Sequence, residues 1–302
     1  MTNNKKTLMI TGGNSGLGLA TAEKIAISNP EYRIILACRN KEKANSAVKK
    51  LQESTNNKNI IAMELDVSSL TSIRNFVSQY KTSDLGLLDG VLCNAGINGR
   101  NTGLTDDGFD IIFETNHLGH FLLTNMLIPY MQDNSRIVMV SSDMHNPPGQ
   151  ALKWLGVEAL AYPNEPLSKD FVRYSYSKLC NLYFTYSLVE KLDSIPSKIT
   201  VNAFNPGLLT DTNFSPDKSR FTDEFMQQIQ DRIGTLEVSC VALANLMVNS
   251  KYDNLTGKYF DRGIETLSSP LSYNEENRAE LWEKSIKYTN LSELDTLQIL
   301  TK

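Results

Sequence analysis

The sequence predicts an α/β protein: one doubly wound domain whose mainly parallel sheet carries helices on both faces. Three observations predict it. Seven short apolar runs recur along the 302 residues. Helical patterns separate most of them. A knot of glycines stands at the first strand-to-helix junction. Parallel neighbours cannot be joined by a tight turn and need a crossover, usually a helix, so strand–helix alternation points to a parallel sheet covered on both sides.

The elements follow in order. The first strand is 8–11, and it runs into Gly12-Gly13-Asn14-Ser15-Gly16-Leu17-Gly18 before a helical stretch, 19–25. Strand two is 33–37, followed by an amphipathic helix at 41–53. Strand three, 60–64, precedes a second at 69–80. Strand four is 90–93, strand five 136–141, strand six 199–204 and strand seven 258–261. A long helix runs from Tyr174 to about Lys191. No linker, repeat or low-complexity tract divides the chain, so 1–302 is read as a single domain. Two stretches interrupt the alternation: 144–172, rich in proline and apolar residues, and 211–232, polar and then helical. Both follow strands at their C-terminal ends, where open α/β sheets bind ligands, so both are read as substrate-side insertions.

Composition narrows the setting. Thirty basic residues against 34 acidic ones leave no strong field to attract nucleic acid or a membrane surface. No apolar run approaches 18 residues, and the first residues lead directly into a strand, so neither a membrane span nor a targeting leader is expected and a cytoplasmic location is. Cys38, Cys93, Cys180 and Cys240 are far apart in apolar contexts, which reads as buried reduced thiols and not as disulfides or a metal site.

The glycine knot carries the first chemical reading. Its pattern is Thr11-Gly12-x-x-x-Gly16-x-Gly18. A glycine turn opening a helix exposes backbone N–H groups and the positive end of the helix dipole, which suit a pyrophosphate; a tight structural turn would also use such glycines. The following strands supply a nucleotide's other contacts. Strand two ends in Cys38-Arg39-Asn40, where a site for NAD would usually place a carboxylate for the ribose hydroxyls. A guanidinium there, with Lys43 one turn into the next helix, matches a 2′-phosphate, which predicts NADP(H). Asp66, followed by Val67, could accept a hydrogen bond from an adenine amino group or cap the next helix. Asn94-Ala95-Gly96 ends strand four with residues small enough for the chain to pass near a ribose.

The second chemical reading is a proton-transfer set. Tyr174 and Lys178 are four apart and share a helix face. A free tyrosine titrates near 10, too high for exchange at neutrality, and a nearby ammonium favours the phenolate. Ser142, at the end of strand five, could hydrogen-bond a substrate oxygen, and Asn116 could hold a water that links to Lys178.

Taken together, Thr11-Gly12-x-x-x-Gly16-x-Gly18, Asn94-Ala95-Gly96, Asn116, Ser142, Tyr174-x-x-x-Lys178 and Asn205-Pro206-Gly207 resemble the short-chain dehydrogenase/reductase family over nearly the full chain. The runs "NHLGHFLLTNML", "LACRNKEKA" and "YSYSKLCNLYF" are similar to the branch holding retinol dehydrogenases and light-dependent protochlorophyllide reductases. The resemblance implies a Rossmann fold with an active site of Asn116, Ser142, Tyr174 and Lys178. Tyr174 would be the general acid/base, Lys178 would bind nicotinamide ribose and lower the tyrosine's pKa, Ser142 would orient the substrate oxygen, and Asn116 would complete a proton relay. It also implies a cofactor cradle of Gly12, Asn14, Ser15, Gly16, Leu17, Gly18, Asp66, Val67, Asn94, Ala95, Gly96, Pro206, Gly207 and Leu209, shared with Tyr174 and Lys178. The expected reaction is hydride exchange between NADP(H) and a hydrophobic or amphipathic carbonyl or alcohol, a small-molecule substrate; double-bond reduction of the protochlorophyllide-reductase type and a non-catalytic nucleotide sensor are the alternatives.

Leu208 departs from the cysteine that protochlorophyllide reductases carry after Pro-Gly. His117 and His120 belong to the branch signature and are read as structural, with no metal. Tyr176 is read as facing core or surface. The helices containing 109–131 and 174–191 could pair two copies as a homodimer. Trp154, Leu155, Leu160, Tyr162 and Phe171 in the first insertion favour a hydrophobic or amphipathic substrate.

Overall fold

The computed structural model describes residues 5–98, 103–162, 170–196, 198–212, 214, 219 and 221–302. Parts of the two insertions (163–169, 213, 215–218 and 220) therefore lie outside the described residues.

An eight-stranded sheet forms the centre. Its strands are β1 (Thr7–Thr11), β2 (Arg33–Cys38), β3 (Ile60–Glu64), β4 (Leu88–Cys93), β5 (Met131–Val140), β6 (Thr200–Asn205), β9 (Tyr259–Asp261) and β10 (Ile264–Thr266). The spatial order is β10-β9-β6-β5-β4-β1-β2-β3. All seven expected strands are present and pair in parallel. The eighth, β10, adds antiparallel at the edge through Ile264↔Asp261 and Thr266↔Tyr259. Two further strands, β7 (Leu208–Leu209) and β8 (Ile233–Gly234), pair in parallel as a separate two-residue clasp. They bracket the 211–232 segment.

Helices cover both faces: α1 (Gly16–Ser28), α2 (Lys41–Thr55) and α9 (Leu236–Val248) on one, α3 (Leu70–Lys81), α5 (Gly119–Leu127), α7 (Asp170–Asp193) and α10 (Glu275–Thr289) on the other. The strands show why both faces close. Leu8 and Ile10 pack with α1 and α9, while Met9 between them packs with α3 and α5, so the apolar run of β1 is used on both sides. Caps set the helix starts: Asn40, Ser69 and Asn274 accept the N–H of Lys43, Ser72 and Asn277. Short helices α4 (Ile111–Phe113), α6 (Val157–Ala161) and α8 (Asp223–Gln228) complete the described set.

Part of the face read as able to pair two copies carries α10 of the same chain. Every residue of α5 is buried. Trp282 of α10 lies stacked on Phe184 at 5.9 Å and edge-on to Phe121 at 5.0 Å. Arg278 holds Glu190 at 2.5 Å, and Ser285 meets His117 Nε2 at 3.1 Å. Apolar faces of α5 and α7 that suggested a partner copy thus also seat α10 of the same chain.

Candidate functional site

Strand order reverses direction of growth between β1 and β4, and their C-terminal ends open one crevice. The predicted residues gather there. Gly12 and Gly16 have φ of +66° and +52°, in the left-handed region that glycine tolerates. A Cβ at Gly18 would meet Asn94 Nδ2 at 2.6 Å and Gly12 O at 2.7 Å, so helix and turn touch through that glycine. Thr11 Oγ1 accepts the N–H groups of Asn94 and Ala95, both at 2.9 Å, which locks the end of β4 to the glycine turn.

Helix α1 starts without help. Ser15 makes no side-chain cap, and the first turn carries no acidic residue. A Cβ at Gly16 would meet only Thr212, at an ordinary contact distance of 3.9 Å, but φ of +52° disfavours any side chain there. A thirteen-residue helix thus presents its positive end to the crevice with Asn14, Ser15 and Leu17 at its rim, an arrangement that fits an anionic pyrophosphate. Arg39 at the end of β2 is 73% exposed and lies 3.7 Å from Asp66. Asp66 does not cap the helix; Ser69 does. Its Oδ1 accepts from the N–H and hydroxyl of Ser68, and its Oδ2 faces Arg39. Lys43 is exposed one turn away, and Val67 is buried. Pro206, Gly207 and Leu209 line the same edge, where Gly207 takes φ +73° and Asn205 Oδ1 accepts its N–H.

Ser142, Tyr174, Lys178 and Asn116 come together. Tyr174 and Ser142 bear on each other electrostatically across the crevice. Lys178 Nζ lies 5.5 Å from the Tyr174 ring centre and donates to Val140 O at 3.0 Å. A Cβ on Gly96 would lie 3.2 Å from Asn116 Oδ1 and 3.7 Å from Lys178 Nζ, so a side chain there would crowd the Asn116 amide where β4's end passes between the two. Asn116 sits in a π-helical turn, Glu114–Leu118, that joins α4 to α5. Such an added residue re-aims side chains within a helix. Its amide is held at both ends: Oδ1 accepts Ile97 N–H at 2.8 Å, and Nδ2 donates to Ile97 O and Ser177 Oγ.

Burial, and not the ammonium, dominates the titration of the pair. It raises the Tyr174 phenol above its ordinary value, with Ser142 opposing in smaller measure than burial and the Asp143 charge adding to the rise. It also lowers Lys178 to about 8. The expected lowering of Tyr174 by Lys178 is therefore reversed in the protein alone, because desolvation favours the neutral form of each group. Tyr176 is buried and donates to Lys153 O at 2.5 Å. His117 and His120 are buried and held neutral by burial, their pKa values lowered to about 3 and about 4. Among the described residues no group of three or more His, Cys, Asp or Glu could hold a metal ion, and all four cysteines are buried and free.

Three features carry no sequence signal of their own. Phe214 rests its ring 5.8 Å from that of Tyr174, and Asn98 Nδ2 donates to its carbonyl. Arg232 binds Asp143 beside Ser142. Glu280 of α10 accepts Trp154 Nε1 at 2.6 Å and Val157 N–H at 3.0 Å, anchoring the first insertion. The insertion's apolar residues divide accordingly. Leu160 enters a core with Val157 and Tyr183, Trp154 packs on Tyr183, and Tyr162 leans on Phe109 and Tyr288, while Leu155 and Phe171 stay exposed. No helix among the described residues is long and apolar enough to cross a membrane.

Known proteins are similar to this chain in sequence and fold. Residues 6–152 match the family model for short chain dehydrogenase. The chain is 32% identical over 291 residues to a WW domain-containing oxidoreductase of Gallus gallus, covering 93% of this chain and 67% of that one. It thus spans about two thirds of the length of such relatives. It is also 32% identical over 293 residues to human retinol dehydrogenase 13, covering 95% and 85%. A crystal structure of an uncharacterized protein from Mycobacterium paratuberculosis superposes with a TM-score of 0.73 at 28% identity, covering 95% and 94%. The chain belongs to the short-chain dehydrogenase/reductase family, in the branch that holds the retinol dehydrogenases.

Proposed function

We propose that this chain is a single-domain NADP(H)-dependent oxidoreductase acting on hydrophobic carbonyl or alcohol substrates. The observation that carries the proposal is the convergence of Ser142, Tyr174, Lys178 and Asn116 beside an uncapped helix start and an exposed arginine. The nicotinamide, when bound, supplies or accepts the hydride. The chain's own residues do the rest. The turn from Gly12 to Gly18 and the start of α1 hold the pyrophosphate, Arg39 and Lys43 hold the 2′-phosphate, and Asn94, Ala95 and Gly96 let the ribose approach.

Tyr174 holds the proton on its hydroxyl and gives it to the oxygen of a carbonyl undergoing reduction. Burial favours this role, since a phenol kept protonated yields its proton only to a base as strong as a forming alkoxide. Lys178, with a lowered pKa, stands behind Tyr174 and can return a proton to it. Ser142 donates to the same substrate oxygen and orients it. The half-exposed ring of Phe214 against Tyr174, with Leu209 nearby and Phe171 exposed, supports an apolar substrate.

The test is a screen of NADPH and NADH consumption over aldehydes, ketones and enones of graded size. Faster turnover of large apolar carbonyls with NADPH is the expected result. Turnover confined to enones would replace carbonyl reduction by double-bond reduction, and tight NADPH binding without turnover of any compound would leave a nucleotide sensor.

A further inference from the structure

The second insertion ends on Arg232, whose Nε donates to Asp143 Oδ2 at 2.5 Å. Asp143 follows Ser142 directly, and its Oδ1 accepts the Ser142 hydroxyl at 3.1 Å. Ser142 Oγ in turn accepts Met144 N–H at 3.1 Å. A hydroxyl has one proton to give, and here it is given to a carboxylate. A hydrogen bond to a bare carboxylate is about twice as strong as a neutral one. Ser142 cannot orient a substrate oxygen until that bond is exchanged. The pair is shielded, Arg232 being 18% and Asp143 26% exposed, so solvent screens it only in part.

We propose that Arg232 and Asp143 are positioning residues for Ser142: the guanidinium neutralises the carboxylate, which loosens its hold on the serine proton and frees that proton for the substrate oxygen. The inference rests on the reading of Ser142 and Tyr174 as the reacting pair. The surroundings support it. The charged and titratable groups facing Asp143 are Arg232, Arg262, His145, Tyr174 and Tyr259. Arg262 is committed to Asp261 through both Nε and Nη2. His145 is committed through both ring nitrogens, Nδ1 to Ser142 O and Nε2 to Ser269 N–H, which makes it neutral. Among the described residues Arg232 is therefore the cation in contact with Asp143. Asp143 also pushes the Tyr174 phenol up, so the carboxylate bears on both members of the reacting pair. The end of the insertion has a second attachment, because β7 and β8 pair and Arg262 Nη1 donates to Ile233 O. Removing Arg232 thus tests its charge more than the path of the chain.

The experiment compares the wild type with Ser142→Ala, Arg232→Met, Arg232→Lys and the double variant Asp143→Asn/Arg232→Met. NADPH oxidation is followed with nonanal and with phenanthrenequinone. Arg232→Met should lower kcat by about tenfold, the difference between a charged and a neutral hydrogen-bond partner, with KM little changed. Arg232→Lys should recover part of the loss, and the double variant should come within about threefold of the wild type. In the alcohol-oxidising direction the alkaline rise of kcat should move to higher pH in Arg232→Met and return in the double variant. Hydrogen exchange of the cofactor-free proteins over 221–234 should quicken equally in both. A double variant as slow as Arg232→Met would make Arg232 an anchor only and overturn the inference. So would wild-type kcat in Arg232→Met. Ser142→Ala with wild-type turnover would instead overturn the reading of the reacting pair, and the inference with it.

Discussion

Replacing Arg39 by alanine isolates the choice of cofactor. In the protein alone its guanidinium is 73% exposed and lies 3.7 Å from Asp66. An exposed pair at that distance contributes about 0–1 kcal/mol, so little holds the arginine back from a phosphate. A charge-assisted contact to a 2′-phosphate contributes about 1.5–3 kcal/mol. Giving up the Asp66 contact leaves a net of roughly 1–2 kcal/mol, a factor of about 5 to 30 in affinity. Arg39→Ala should therefore weaken NADPH by about tenfold and change NADH by less than about twofold. Dissociation constants follow from the enhancement of reduced nicotinamide fluorescence on binding, which needs no substrate. Asp66→Asn serves as the counterpart. It loosens both cofactors alike where Asp66 contacts the adenine, yet it raises the ratio of NADPH to NADH affinity because Arg39 is released. Equal losses for both cofactors in Arg39→Ala would refute the phosphate role, and a falling ratio in Asp66→Asn would refute the competition between carboxylate and phosphate.

Tyr174→Phe should remove nearly all turnover and leave NADPH binding within about twofold, while Tyr176→Phe should keep turnover and lose about 1 kcal/mol of stability with its bond to Lys153 O; exchanged results would misplace the reacting face of α7. Stability should depend on pH through three buried groups. His117 and His120 titrate well below 6.5 in the fold, so unfolding takes up protons below that pH, and stability present above 6.5 is lost as pH falls, by about 2 kcal/mol each at pH 5. Glu114, raised to about 8, acts oppositely: the folded state keeps a proton that the unfolded chain releases, so its contribution grows as pH falls and offsets about one histidine over the same interval. Urea unfolding at pH 6.5 and pH 5 should show a steeper loss in Glu114→Gln than in the wild type, and equal losses would contradict the buried, protonated Glu114. Trp282→Ala should cost about 3–5 kcal/mol, because it empties the aromatic stack with Phe121 and Phe184, and a thermal shift of only one or two degrees would show that α10 is not what closes that face.

Local chemistry made the order of elements legible. β1 reads as a strand because its apolar run is used on both faces, and α2, α3 and α10 start at side chains that cap them. Within the site, Gly12, Gly16 and Gly18 and the four-residue spacing of Tyr174 and Lys178 were legible for the same reason: each is a constraint between residues near in sequence. Separation in sequence hid the rest. β10 has three exposed residues and no apolar pattern, and it exists because the edge of β9 accepts it. Arg232 lies 89 positions from Asp143, and Glu280 lies 126 from Trp154, so nothing near either residue marks it. The apolar faces of α5 and α7 are explicit in the sequence, but an apolar stripe states only that something covers it; packing assigned that place to Trp282 of the same chain. The direction of the Tyr174 shift was likewise undecided by spacing. The neighbouring ammonium is a local fact, whereas the removal of water that outweighs it is the work of every element that closes over the crevice.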